Sequence, residues 1–114
     1  MSYQLSFKQL RDANQTRLKS SFYDYKDWSP ADWLKAVTCE LGDITVAGSH
    51  DAIEAELADV VMSLDLLAAE LNVDLSHAVI AKFNIVSNRV DSDLFLNRDG
   101  ELLPSPPGYG PPAI

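Results

Sequence analysis

Residues 51–71 read DAIEAELADVVMSLDLLAAEL. On a helix, this stretch has one apolar face and, nearly opposite, a second face of small or apolar residues. The first face comprises Ile53, Leu57, Val60, Leu64, Leu67 and Leu71, and the second comprises Ala55, Ala58, Met62, Leu66 and Ala69. A helix that is apolar on two sides must be covered on both. Because the chain has only 114 residues, we expect another subunit to cover the second face.

Two acidic pairs lie on this helix and on the helical stretch before it. Glu56 and Asp59 lie on the flank between the two apolar faces, and Glu40 and Asp43 have the same spacing. An i,i+3 spacing places both carboxylates of a pair on one side of a helix. Four carboxylates gathered by neighbouring helices repel one another unless a cation lies between them. Hard oxygen ligands in this number suit Mg²⁺ or Mn²⁺, so the spacing predicts a metal site.

The pattern around this stretch predicts an all-α fold. Ser6 is a candidate N-cap for the first helix, and Ser29 followed by Pro30 is a strong start for the second. Asp51, with Glu54 as its capping-box partner, is expected to begin the third helix, and Asp74 to cap the fourth. The predicted helices span 7–22, 30–47, 51–71 and 74–90. Short connections between long helices indicate antiparallel neighbours and a four-helix-bundle-like architecture.

The sequence changes character after Val90. We therefore predict a helical domain over 1–92 and a different region over 93–114. In that region, Asp99-Gly100 is a turn signal for a small hairpin over 95–102. Five prolines follow between Pro104 and the end of the chain, so we predict an extended tail over 104–114 without regular helix or central strand.

Composition excludes several classes of partner. The net charge of −8 and the pI of about 4.4 disfavour duplex nucleic acid. No apolar run approaches the ~20 residues of a membrane helix, and Lys8, Arg11 and Asp12 interrupt any signal-peptide pattern. The single cysteine, Cys39, cannot form an internal disulfide, so we expect a cytoplasmic protein.

Charged residues fall on faces that the helical wheel assigns to the core. The predicted core stripe of the second helix comprises Trp33, Val37, Leu41 and Ile44, and Glu40 lies at its edge. The predicted stripe of the fourth helix comprises Leu75, Val79, Phe83, Val86 and Val90, with Lys82 and Arg89 on the same side. Inward cations need anions, which the acidic pairs or ligand phosphates can supply.

The same residues also admit plainer interpretations. A single acidic pair in an acidic protein is usually a solvated face, and Lys82 and Arg89 can extend their charged ends into water. Salt bridges between the inward acids and cations, without any ligand, are a further alternative. His50 and His77 show no zinc-ligand spacing with Cys39.

The order of these motifs resembles the MazG-like, all-α NTP pyrophosphohydrolases. The resemblance is carried by Trp33, by Glu40-Leu41-Gly42-Asp43, by Glu56-Leu57-Ala58-Asp59 and by Lys82-Phe83-Asn84 with Arg89. It covers roughly residues 5–90, including an opening helix, 7–14, like that of small phage-type members. Asp43 is a departure, because the family usually has glutamate there and aspartate is one methylene shorter.

The resemblance implies Mg²⁺-dependent cleavage of a nucleoside triphosphate between its α and β phosphates, giving a monophosphate and pyrophosphate. Family members are dimers or tetramers with sites at subunit interfaces, so a homodimer or homotetramer is expected. Each site residue then has an implied role. Glu40, Asp43, Glu56 and Asp59 would hold the metal, with Glu40 orienting or deprotonating the attacking water; Lys82 and Arg89 would steady pyrophosphate, Asn84 would contact sugar or phosphate, and Trp33 or Trp28 would stack on the base.

Two other functions fit the same sequence. One is a protein that binds nucleotides without cleaving them, with Asp43 marking lost catalysis. The other is a purely structural helical oligomer whose inward acids and cations pair with each other.

Overall fold

The computed structural model of the chain describes residues 2–21 and 25–107. Within these ranges the chain forms four α-helices and one two-stranded antiparallel sheet, so the predicted all-α class is confirmed. The helices are α1 (Phe7–Ser20), α2 (Pro30–Thr45), α3 (His50–Glu70) and α4 (Leu75–Arg89), and the strands are β1 (Phe95–Leu96) and β2 (Leu102–Leu103). Phe22 and Tyr23, predicted to end the first helix and begin its connection, lie outside the described residues, as does the tail from residue 108.

Side-chain caps set the start of each helix. The Ser6 hydroxyl accepts from the Gln9 backbone N–H at 3.0 Å, and Ser29 and Asp32 form a capping box in front of α2. Asp74 caps α4 as predicted. The prediction that Asp51 begins α3 is wrong: Ser49, in extended conformation, accepts from the Ala52 N–H at 3.1 Å. Helix α3 therefore starts one residue earlier than expected, at His50.

The chain divides into two compact units, Met1–Val73 and Asp74–Ile114. The sequence placed a boundary near residue 92, whereas α4 belongs to the same unit as the hairpin. In the first unit, α3 packs against both α1 and α2, and in the second α4 packs against β1. None of the helices in the described ranges has the length and hydropathy to span a bilayer.

The first unit buries a different set of side chains from the predicted stripes. Trp33 and Val37 of α2 and Val60 of α3 are buried as expected, whereas Leu41 and Leu57 are 51% and 52% exposed. Three further residues of the predicted apolar face of α3 are also exposed: Ile53, Leu64 and Leu71. Helix α3 instead buries Val60, Asp65, Leu66 and Ala68, because it packs against both α1 and α2 and Asp65 bonds to α1.

A similar correction applies to α4 in the second unit. Its predicted core residues Val79, Phe83, Val86 and Val90 are exposed, and its buried residues are Ala81, Asn84 and Ser87. The cause is a pair of hydrogen bonds between helix and hairpin. The Asn84 amide donates to the Leu96 carbonyl at 2.9 Å, and its oxygen accepts from the Leu96 N–H at 2.8 Å. Small and polar side chains on that face let β1 approach the helix.

The predicted hairpin is present. Phe95 pairs with Leu103 and Leu96 with Leu102. The turn contains Gly100 at φ 78°, a left-handed conformation that glycine adopts without strain. Asn97 closes the turn, since its side-chain oxygen accepts from the backbone N–H groups of Asp99 and Glu101. Residues 104–107 form neither helix nor strand, as expected for the start of the proline-rich tail.

Candidate metal and ligand site

Helices α2 and α3 bring the four predicted acidic residues into one region of the first unit. Partial desolvation is the largest cause of a raised pKa at Glu56. The negative charges of Asp43 and Asp59 raise this pKa further, and that of Glu40 contributes as well. Because Coulomb interactions fall off with distance and with screening by water, the three carboxylates must lie near Glu56 to affect it. The two i,i+3 pairs therefore lie near each other on α2 and α3, which pack together.

Glu40 has one carboxylate oxygen out of reach of water. Its Oε1 atom is buried and has no hydrogen-bond partner among the residues that the structure describes. Burying a carboxylate oxygen without a partner is costly, so such an atom points to a ligand that completes it. Glu56 and Asp59 are partly buried, and Asp43 is exposed.

The four carboxylates do not form a closed metal site. In the described part of the chain, no group of three or more acidic, histidine or cysteine side chains is in position to hold a metal ion. Like charges spread apart when no cation lies between them. The donor set, carboxylates around an unpaired buried oxygen, fits the chemistry of Mg²⁺ or Mn²⁺.

A cavity of about 500 Å³ adjoins two of these acids. Glu40 and Asp59 form part of its wall, and aromatic rings form another part. Its lining consists of Arg17, Tyr25, Trp28, Trp33, Ala36, Glu40, Asp59, Met62, Ser63 and Leu66. The size is within the range of small-molecule sites, and the wall combines apolar surface with a few charged groups.

Three aromatic rings cluster in the cavity wall. The centroids of Trp28 and Trp33 lie 4.6 Å apart with planes inclined at 55°, and those of Tyr25 and Trp28 lie 4.7 Å apart in an edge-to-face arrangement. These separations are typical of attractive aromatic pairs. The structure thus brings both predicted base-contacting tryptophans to the same cavity as Glu40 and Asp59.

The sequence did not predict the contribution of α1 to this site. Arg17 lines the cavity, and its Nη2 atom lies 3.7 Å from the Met62 sulfur. Helix α1 is attached to α3 by the carboxylate of Asp65, which is 0% exposed. Asp65 accepts from Arg11 Nε and from Asn14 Nδ2, both at 3.0 Å. The available signal was an aspartate inside the apolar run Leu64–Ala69, which had to find a partner on another helix.

The remaining predicted residues lie on α4, in the second unit. Lys82 and Arg89 are exposed there. Asn84 is 1% exposed, and both polar atoms of its side chain bond to Leu96. Its amide therefore holds the hairpin. The predicted contact of Asn84 with sugar or phosphate is not part of the proposed function. The expected placement of Lys82 and Arg89 beside the acids stays a prediction.

Neither a scan against protein-family models nor a search of curated protein sequences finds a match to this chain.

Proposed function

We propose that this chain is a Mg²⁺-dependent nucleoside triphosphate pyrophosphohydrolase of the MazG-like, all-α type. The observation that carries the proposal is the unpaired, buried Oε1 of Glu40, which lies near carboxylates whose charges oppose ionisation of Glu56. A site that concentrates this much negative charge suits a divalent cation bound to a polyphosphate. The motif order of the sequence supports the same activity.

The acidic residues would bind the metal in this proposal. Glu40, Asp43, Glu56 and Asp59 supply the carboxylate oxygens, and Asp43, being exposed, can also reach an ion through water. When bound, Mg²⁺ would neutralise phosphate charge and lower the pKa of a coordinated water. Glu40 would orient that water or accept its proton, for attack in line with the bond between the α and β phosphates.

The adjoining cavity would hold the nucleoside. Tyr25 and Trp28 are partly exposed and offer ring surface to a base. Stacking of a base on an aromatic ring contributes about 1–3 kcal/mol, which is enough to orient a nucleotide. Arg17, in the same wall, carries a charge opposite to that of phosphate. Contact of Lys82 and Arg89 with the departing pyrophosphate is implied by the resemblance alone.

Exposed apolar faces support the proposal that the chain is a homodimer or homotetramer. Leu57 and Leu64 of α3 are exposed, as are Val79 and Phe83 of α4. Apolar residues repeating along one helix face are typical of interfaces between subunits. Sedimentation of the purified chain measures the oligomeric state directly.

The activity is tested with a panel of canonical and modified nucleoside triphosphates in Mg²⁺, assayed for pyrophosphate and separately for orthophosphate. We expect pyrophosphate and monophosphate in equal amounts. Glu56→Gln should lower kcat/KM by about 100-fold or more, because it removes a direct metal ligand. Loss of a ligand should lower activity more than loss of a residue that only hydrogen-bonds to a ligand. Glu54→Gln is the matched control, since Glu54 is an exposed neighbour on the same helix, and it should leave kcat/KM within about twofold.

Three results distinguish the alternatives. Equal activity of Glu56→Gln and Glu54→Gln contradicts the metal-ligand assignment. Nucleotide binding without pyrophosphate release favours the non-catalytic binding protein. A melting temperature that does not change on adding Mg²⁺ and nucleotide favours the structural oligomer, because a ligand that binds only the folded state must raise it.

A further inference from the structure

A second buried polar atom belongs to Trp33, which lines the same cavity as Glu40. The indole nitrogen of Trp33, Nε1, is buried and has no hydrogen-bond partner among the residues that the structure describes. Trp33 itself is 5% exposed and lines the cavity. Buried indole N–H groups usually find an acceptor, so one left unpaired in a cavity wall indicates that the acceptor comes from a ligand.

The packing of Trp33 decides which part of the ring a ligand can use. The ring centroid of Trp28 lies 4.6 Å from that of Trp33 with the planes inclined at 55°, and the centroid of Tyr25 lies at 6.3 Å with a plane inclined by 36°. A ring that is 5% exposed and packed against two aromatic neighbours has little free face for stacking. Its polar edge still lacks a partner in the described chain. Tyr25 and Trp28 are more exposed and keep ring surface for a base.

We propose that Trp33 is a specificity-determining hydrogen-bond donor, whose indole N–H binds a lone-pair acceptor on the edge of the ligand's ring. The ligand class is a planar heteroaromatic base with an accessible carbonyl oxygen or ring nitrogen. This assignment rests on the proposed nucleotide function and replaces the expectation that Trp33 stacks on the base. Stacking is left to Tyr25 and Trp28.

The donor discriminates through the cost of leaving it unpaired. A base with the right shape but no acceptor would fill the cavity and leave the buried N–H unpaired. Losing one such hydrogen bond corresponds to about a tenfold change in affinity. A base with an acceptor at that edge binds without this penalty.

The first measurement is the affinity of the wild-type chain for nucleoside monophosphates, in the presence of Mg²⁺, by calorimetry. The four deoxynucleoside monophosphates identify the preferred base. Its non-polar, shape-matched analogue, which lacks ring acceptors, is then measured in the same way. We expect the analogue to bind about tenfold more weakly. Equal affinity of the two ligands overturns the proposal without reference to any variant.

The second measurement repeats this pair of ligands with Trp33→Phe, which removes the N–H and keeps an aromatic ring. We expect the preference for the natural base to fall to about twofold or less, because no unpaired donor is left. Trp28→Phe is the control: it should weaken both ligands by a similar factor and preserve the preference. A full preference in Trp33→Phe, or its loss only in Trp28→Phe, overturns the proposal.

Failure of the inference and failure of the proposed function have different signatures. If the wild-type chain releases pyrophosphate but does not distinguish the two ligands, the function stands and the role of Trp33 falls. If none of the four monophosphates binds, the inference is overturned, and the pyrophosphate assay decides separately on the function. If Trp33→Phe does not fold, the ligand pair measured on the wild-type chain still supports or overturns the role of Trp33.

Discussion

Glu40 and Glu56 each carry an energetic cost in the metal-free chain. At Glu40 one carboxylate oxygen is buried without a partner in the described chain, and at Glu56 desolvation and neighbouring charges oppose ionisation. Both costs fall when a cation enters, since it accepts the lone pairs and offsets the charge. The residues that destabilise the metal-free chain are therefore the ones expected to bind the ion.

This predicts a pH dependence of stability in metal-free buffer. The pKa of Glu56 is raised above its ordinary value of 4.5, so the folded state binds more protons than the unfolded state in that interval. The free energy of unfolding should then fall as the pH rises from about 4.5 through the folded-state pKa. Urea denaturation at a series of pH values should show a shallower fall for Glu56→Gln than for wild type.

Glu54→Gln serves as the control for this series and should follow the wild-type curve. Addition of Mg²⁺ should also flatten the wild-type curve, because the ion favours the charged form of Glu56. A Glu56→Gln variant whose curve has the wild-type slope would contradict the assigned coupling among these carboxylates.

At the scale of helices and strands, helix caps could be predicted because they depend on neighbouring residues. The buried faces of the helices could not, because they depend on residues distant in sequence. Ser6, Ser29 and Asp74 cap helices as the sequence indicates, because a cap depends on residues within one turn. Helix α3 had two candidate caps, and Ser49 rather than Asp51 is used. The face that α4 buries could not be predicted, since it depends on Asn84 bonding to Leu96 twelve residues away.

In the site, too, features that depend on neighbouring residues could be predicted, and those that depend on distant residues could not. The sharing of one helix side by the two acids of each pair could be predicted from their i,i+3 spacing, and their convergence on one ion stays a prediction. The cavity could not, because its wall combines Arg17 of α1, Tyr25 of a connection and Met62 of α3. Helical periodicity does not say which helix packs on which, nor that Asp65 holds α1 in place.

The contact between α1 and α3 gives a stability prediction. Asp65→Asn should lower the free energy of unfolding by about 3 kcal/mol, because it leaves Arg11 and Asn14 without their charged acceptor in a buried setting. Asp12→Asn is a matched control on the surface. Asp12 pairs with Lys8, both exposed, so its loss should cost about 0.5 kcal/mol or less.

Urea denaturation followed by circular dichroism compares the two variants. Equal destabilisation by Asp65→Asn and Asp12→Asn would show that the buried network does not hold α1 against α3. If only Asp65→Asn is strongly destabilised, we also expect the cavity to change in that variant. Arg17 lines the cavity and lies on α1, the helix that Asp65 holds in place.

At the scale of the whole molecule, charge and apolar surface have separate roles. A net charge of −8 opposes polyanions in general, so a phosphate ligand needs a cation at its site. The exposed apolar residues on α3 and α4 are suited to the subunit contacts that we propose.

The central claim is that carboxylates from α2 and α3 converge on a shared divalent ion. Mn²⁺ binding, measured by the loss of the free-ion electron paramagnetic resonance signal, tests it most directly. We predict a saturable site in the wild-type chain and in Glu54→Gln, weakened by about tenfold or more in Glu40→Gln and in Glu56→Gln. Equal Mn²⁺ affinity in all four proteins, or no saturable binding by the wild-type chain, would contradict the claim.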